Sequence, residues 1–193
     1  MTESVEKIFE KTGAVLKGHF LLSSGLHSPV YWEKFQVLQY PGYTGKLCRL
    51  IAGHFKKSRV QVVAGPTTGG VILAYEVGRQ LGVRGIFAEK VERGGREFRR
   101  GFRIAPGERV LIVDDVMTAG GSLRDTVDAV KKLGGDIVGI GILVDRSVEK
   151  LDFGVPFFSC HRAQVIAYET SKCPLCAAGV PLVKPGGSQP HKQ

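Results

Sequence analysis

Between residues 60 and 144, short apolar runs alternate with stretches of helical periodicity, and that alternation leaves few architectures open. VQVVA (60–64), RGIFAE (84–89), RVLIV (109–113) and DIVGIGILV (136–144) are short and bounded by Gly, Pro or charge, as strands are. Gly69 to Leu81 reads as a helix closed by Gly82. Ser122 to Leu133 reads as another, with Leu123, Val127, Val130 and Leu133 facing inward and Gly134 ending it. Apolar strands separated by helices predict an α/β fold: a central, mainly parallel sheet flanked by helices.

The flanks are less regular. Residues 4 to 16 place Val5, Ile8, Phe9 and Leu16 at helical spacing behind a possible Ser4 N-cap. The stretch that follows is rich in Gly, Ser, Pro and aromatics and predicts short strands and loops. Thr44 to Lys57 returns to helix with Leu47, Leu50, Ile51 and Phe55 on one side. VPFFSC and QVIAY add one or two further strands. A chain of 193 residues suits one domain, expected over 1–184, with 185–193 (the end of KPGGSQPHKQ) a mobile tail. No apolar run approaches the ~20 residues of a membrane span. The N-terminal residues lack the pattern of a secretory signal, so a cytoplasmic protein is expected. The formal charge of +9 suits an anionic partner, whether nucleic acid, anionic lipid or a phosphorylated small molecule.

RVLIVDDVMTAGGSL (109–123) carries the chemistry. An apolar strand runs into Asp114 and Asp115; Val116 and Met117 lead to Thr118, Ala119, Gly120, Gly121 and Ser122; a helix then begins. Small residues let backbone N–H groups approach a phosphate, and the helix presents unpaired N–H groups and its positive dipole end to the same place. Two acids beside such a cradle would repel the ligand unless they held sugar hydroxyls or a cation. The plain alternative is that the acids cap a tight turn. Neither a P-loop nor a dinucleotide fingerprint is present. A second strand-to-helix loop, AGPTTGG (64–70), obeys the same backbone logic but is by itself an ordinary connection.

The Asp-Asp-x-x-Thr-Ala-Gly-Gly pattern resembles the phosphoribosyl pyrophosphate (PRPP) signature of type I phosphoribosyltransferases. GHFLLSSGLHSPVYW (18–32) is similar to the N-terminal segment of the orotate phosphoribosyltransferases within that family. The resemblance runs from about residue 13 to about 186, including the ending CPLCAAGVPLVKPG (173–186). It implies the type I fold with a small hood built from the N- and C-terminal segments, the N-terminal part at about 13–42. It also implies transfer of phosphoribose from PRPP to orotate, giving orotidine 5′-monophosphate and pyrophosphate. On this resemblance Asp114, Asp115, Val116, Met117 and Thr118 to Ser122 bind PRPP, Asp114 and Asp115 by the ribose hydroxyls and Thr118 to Ser122 at the 5′-phosphate. Pro66, Thr67, Thr68 and Gly69 form the pyrophosphate loop, and Lys90 contacts PRPP from the root of a flap. Tyr31, Trp32, Thr118 and Arg146 contact orotate, whose carboxylate and carbonyls suit a guanidinium.

The segment 90–103, with Arg93, Arg96, Arg99 and Arg100, is expected to be a mobile basic flap that the family shares across a homodimer. Mg²⁺ is implied as the cofactor, carried by PRPP and without an assigned protein ligand. Membrane and nucleic-acid partners are not expected, although a PRPP-binding regulator and an enzyme for another base are the rival readings. Where many family members have Lys, this chain has Ser23 and Gly69, and the flap has no His, so no flap general acid is assigned.

Cys48, Cys160, Cys173 and Cys176 are too few for a disulfide scaffold. Cys173-Pro-Leu-Cys176 has the spacing of half a zinc site, but Cys160, His161 and His191 add no second pair, so two free thiols in a tight turn are expected.

Overall fold

The computed structural model describes residues 4–22, 24–163 and 166–185. Ser23, His191 and most of the expected tail lie outside the described residues. The elements run α1 (Val5–Lys11), β1 (Val15–Leu21), β2 (His27–Trp32), α2 (Phe35–Leu38), α3 (Pro41–His54), β3 (Val62–Pro66), α4 (Gly69–Leu81) and β4 (Arg84–Lys90). They continue β5 (Arg96–Phe98), β6 (Arg109–Met117), α5 (Gly121–Lys132), β7 (Asp136–Asp145), β8 (Phe157–Arg162) and α6 (Pro174–Ala177), with one 3₁₀ turn before α6.

Six strands form the central sheet in the order β5-β4-β3-β6-β7-β8. The contacts β4-β3-β6-β7-β8 are all parallel, and β5 joins the edge antiparallel to β4. β6 and β7 are interior strands buried almost throughout, which is why 110–113 and 137–144 are continuously apolar. One face is covered by α3 and α4 around Leu47, Ile51, Phe55 and Leu73. The other is covered by α5, whose Leu123, Val127 and Val130 meet Ile112 and Ile140. β1 and β2 form a separate antiparallel hairpin, the hood.

Three expected core positions are not buried. Leu16 leaves the helical stripe because Gly13, at φ +66°, ends the first helical segment, and the residue falls in β1. Leu50 and Leu133 are exposed at 42% and 40%: each lies a turn or less from a buried neighbour, on the solvent side of its stripe. Ser4 does cap α1, its Oγ accepting from Lys7 N at 3.3 Å. The segment expected as an irregular flap contains regular structure: Ala88, Glu89 and Lys90 pair with Phe98, Glu97 and Arg96, so its first half is a hairpin. Gly94 and Gly95, both at positive φ, make its turn.

Candidate active site at the carboxyl end of the sheet

β6 does not stop before the acids. It runs to Met117, so Asp114 and Asp115 are strand residues held in register against β7. The loop after it is only Thr118 to Gly120, and α5 begins at Gly121. Gly120 occupies the N-cap position at φ +75°, where a Cβ would be strained and would also run into Leu151. The first N–H groups of α5 have no acceptor within the helix and face the end of the sheet where parallel folds bind ligands.

The two carboxylates are buried, at 6% and 1% exposure. Asp114 Oδ1 accepts from Asp115 N at 2.8 Å, while Asp115 Oδ1 accepts from Val116 N at 2.6 Å and pairs with Lys34 Nζ at 3.1 Å. Burial, and for Asp114 the adjacent Asp115 charge, raise both carboxyls above the ordinary 3.8; Lys34 opposes this at Asp115. Burial pulls the Lys34 ammonium down, but the charge and hydrogen bond of Asp115 outweigh it and the net shift is upward.

The second loop stands beside the first. Thr67 and Thr68, joined by a cis peptide bond, precede α4, and Gly69 packs so closely on Asp115 that a Cβ there would overlap its Oδ2. That contact explains why this chain has no side chain at position 69. Arg96 ties the two loops together: its guanidinium donates to Thr67 Oγ1 at 3.1 Å, to the Ala88 carbonyl at 3.1 Å and to Ser122 Oγ at 2.8 Å. Lys90 stands exposed opposite it at the end of β4. Arg96, expected on a flap reaching a partner, is thus directed at the loops of its own chain. Arg99 and Arg100 pair with Glu97 and Glu89 on the hairpin, and Arg93 is exposed on its turn.

Between the sheet and the hood lies a cleft of about 830 Å³, lined by Tyr31, Trp32, Lys34, Thr118 and Arg146 among others. Arg146 follows β7, its N donating to the Met117 carbonyl at 2.8 Å, and the residue is only 8% exposed. Burial lowers its pKa, and the facing Tyr31 works against that. The Tyr31 hydroxyl is raised, first by burial and then by Glu33. Trp32, expected as a base contact, touches the cleft but also packs on Phe9 and stacks on His161, with ring centroids 5.1 and 5.5 Å away. Its ring belongs as much to the floor as to the ligand surface.

Three buried polar atoms of the described residues have no hydrogen-bond partner: Arg96 Nε, Asp115 Oδ2 and Arg146 Nε. All three belong to residues grouped around this end of the sheet, and unsatisfied buried groups are uncommon enough to need a reason. Lys34 is the residue the sequence reading missed. Its position two residues after the aromatic pair was the available signal, but the partner, Asp115, is remote in sequence.

A phosphoribosyl transferase domain matches residues 36–168. An orotate phosphoribosyltransferase of Caldanaerobacter subterraneus subsp. tengcongensis is 53% identical over 184 residues, covering 95% of this chain and 96% of that protein. The chain belongs to the orotate phosphoribosyltransferase family. Among solved structures, the orotate phosphoribosyltransferase of Aeropyrum pernix matches with a TM-score of 0.68 at 27% identity, covering 82% of this chain and 93% of that one. The adenine phosphoribosyltransferase of Thermoanaerobacter pseudethanolicus matches with a TM-score of 0.61 at 20% identity, covering 69% of this chain and 88% of that one. Enzymes named for different bases share this fold, so the fold does not choose the base. No described helix is long and apolar enough to cross a membrane.

Proposed function

We infer that the chain transfers the phosphoribosyl group of PRPP to orotate, forming orotidine 5′-monophosphate and pyrophosphate on the route to UMP. One observation carries the reading: Tyr31 and the buried Arg146 line the same cleft as Thr118 and Ala119 of the loop after the acid pair, as adjoining places for a base and a phosphoribose require. In this assignment Asp114 and Asp115 accept from the ribose hydroxyls. Thr118, Ala119, Gly120, Gly121 and Ser122 cradle the 5′-phosphate, with Val116 and Met117 fixing the strand end. Pro66 to Gly69, with Arg96 and Lys90, face the diphosphate. Orotate lies between Tyr31 and Arg146, with Thr118 at its edge and Trp32 beneath.

A ring nitrogen of orotate forms the new bond to ribose C1 as the bond from C1 to the diphosphate oxygen breaks; the electron pair leaves with pyrophosphate, and the proton of the ring N–H passes to pyrophosphate or to solvent. Positive charge develops on the ribose, as in glycoside cleavage. The protein contributes position and charge rather than a covalent nucleophile. Mg²⁺ would be brought in on PRPP, with Asp114 and Asp115 as the acceptors nearest the ribose hydroxyls that would help to hold it. When bound, Mg²⁺ offsets the charge of the leaving diphosphate. Arg93, Arg99 and Arg100 extend the basic hairpin toward a partner subunit's site in a homodimer. A cytoplasmic location goes with this reading.

Orotate loss followed by ultraviolet absorbance, with PRPP and Mg²⁺ and with uracil and adenine in parallel, tests the assignment. Turnover of orotate alone, dependent on both additions, is expected. Turnover of another base instead would overturn the role of Arg146. For the dimer, mixing an Asp114→Asn/Asp115→Asn chain with an Arg93→Ala/Arg99→Ala/Arg100→Ala chain should restore activity if flaps are shared, and should not otherwise.

A further inference from the structure

The cysteine pair of the C-terminal segment has partners that sequence spacing did not reveal. They are neither Cys160 nor His161, but His19 on β1 and His27 on β2. One ligand atom from each of His19, His27, Cys173 and Cys176 falls within 4.8 Å of all the others. His19 Nε2 is 2.9 Å from His27 Nδ1. Cys173 Sγ is 3.5 Å from His19 Nε2, and Cys176 Sγ is 3.7 Å from His19 Nε2 and 3.2 Å from His27 Nδ1. A tetrahedral zinc ion with usual bond lengths spaces two nitrogens by about 3.3 Å and a nitrogen and a sulfur by about 3.6 Å. Four of the six separations fall within about 0.4 Å of those values, the other two lie within 4.8 Å, and both thiols are free.

The hydrogen bonds around the rings point the same way. His19 Nδ1 lies 2.8 Å from the Val180 carbonyl, which can only accept, so the proton of a neutral His19 is on Nδ1 and the bare Nε2 faces the cluster. His27 Nε2 lies 3.3 Å from Thr170 Oγ1, which leaves Nδ1 turned inward. A ligating His held by a hydrogen bond from its other nitrogen is the usual surround of a bound metal. His19, His27 and Cys173 are buried while Cys176 is at the surface, which provides an entry path. The metal-free alternative is a His27-to-His19 hydrogen bond with two thiols crowded against it.

We propose that His19, His27, Cys173 and Cys176 form a structural zinc site that clasps the hood to the C-terminal segment. Two soft thiolates and two imidazoles with no open position favour zinc over hard cations. The two segments already run side by side: Leu21 N donates to the Val183 carbonyl at 2.9 Å, Val183 N to His19 O at 2.8 Å, and His27 and Tyr168 exchange backbone bonds. Both segments line the cleft, through Leu21, Leu22 and Leu26 on one side and Lys184 and Pro185 on the other. The ion would therefore fix one wall of the cleft while standing outside it, and it is separate from the Mg²⁺ that PRPP carries.

The test uses the full chain, expressed with zinc in the medium and purified without chelator. Elemental analysis should find one zinc per chain. Replacement by Co²⁺ should give the intense visible bands of a tetrahedral site and a thiolate-to-cobalt charge-transfer band. Cys176→Ser, at an exposed position, should weaken the charge-transfer band and lower zinc retention at least tenfold, and chelation of the native chain should lower its melting temperature. A chain that is metal-free as purified, takes up Co²⁺ only in octahedral form or carries a Cys173–Cys176 disulfide overturns the site. Zinc fully retained in a Cys176→Ser/His27→Gln chain also overturns it.

Discussion

The central sheet and the hood meet at one cleft but are held together by different means. In the sheet, stability is spread over many apolar side chains that neighbouring strands and helices bury together: Ile112, Ile140 and Ile142 on one face, Leu111, Val113 and Leu143 on the other. The hood is two strands, too few to bury a core of their own. It relies on long-range contacts: Trp32 on Phe9 and His161, Ser28 Oγ on the Ile166 carbonyl at 2.8 Å, and the His–Cys cluster. The difference assigns the work. The sheet supplies a rigid end on which acids and loops are fixed in register, and the hood supplies a wall whose position depends on a few contacts.

That contrast can be broken at several points. The largest effect should follow Asp114→Asn/Asp115→Asn, on the sheet: turnover should fall on the order of 10²–10³-fold or more while the chain stays folded, as steady-state rates and circular dichroism together would reveal. Arg146→Ala, also at a strand end, should lower kcat/KM for orotate roughly 10–100-fold, the range for losing hydrogen bonds to a charged group, with KM for PRPP little changed. Lys34→Met reaches the same acids from the hood side. It should reduce kcat/KM for both substrates about tenfold, because it removes the one cation paired with Asp115 among the described residues. If Lys34→Met instead left activity unchanged, the hood would be a wall only.

Two smaller effects concern stability. Gly139 lies in β7 where a Cβ would overlap the Phe55 ring, so Gly139→Ala should destabilise the chain by about 1–3 kcal/mol in denaturant titrations. The acid pair should act in the opposite direction. Asp114 and Asp115 bind protons more tightly folded than unfolded, since burial raises both. Folding then takes up protons, and the ligand-free chain should lose stability as the pH rises from near 3.8 through the raised range. Asp114→Asn should flatten that loss and raise the melting temperature at neutral pH by roughly 2–4 °C per kcal/mol recovered, read by calorimetry across pH. A site that is less stable for being functional is expected where charge is stored for a ligand.

Periodicity determined a good deal by itself. α4 and the strands β4, β6 and β7 lie where apolar runs and terminal glycines put them, because a parallel sheet buries its strands on both faces and writes that into every residue. The order of strand, acid pair, small-residue loop and helix start over 109–123 was equally legible, since all of it is consecutive in the chain. Tertiary structure alone decided the rest. It ran β6 through the acids, brought Lys34 to Asp115, turned Arg96 onto Ser122, and gathered His19 and His27 against Cys173 and Cys176. Each of these pairings joins residues that local spacing does not link, or sets a strand end that only its neighbouring strand fixes. Contacts of that kind leave no period in the sequence, because they depend on where the chain returns in space and not on how it proceeds.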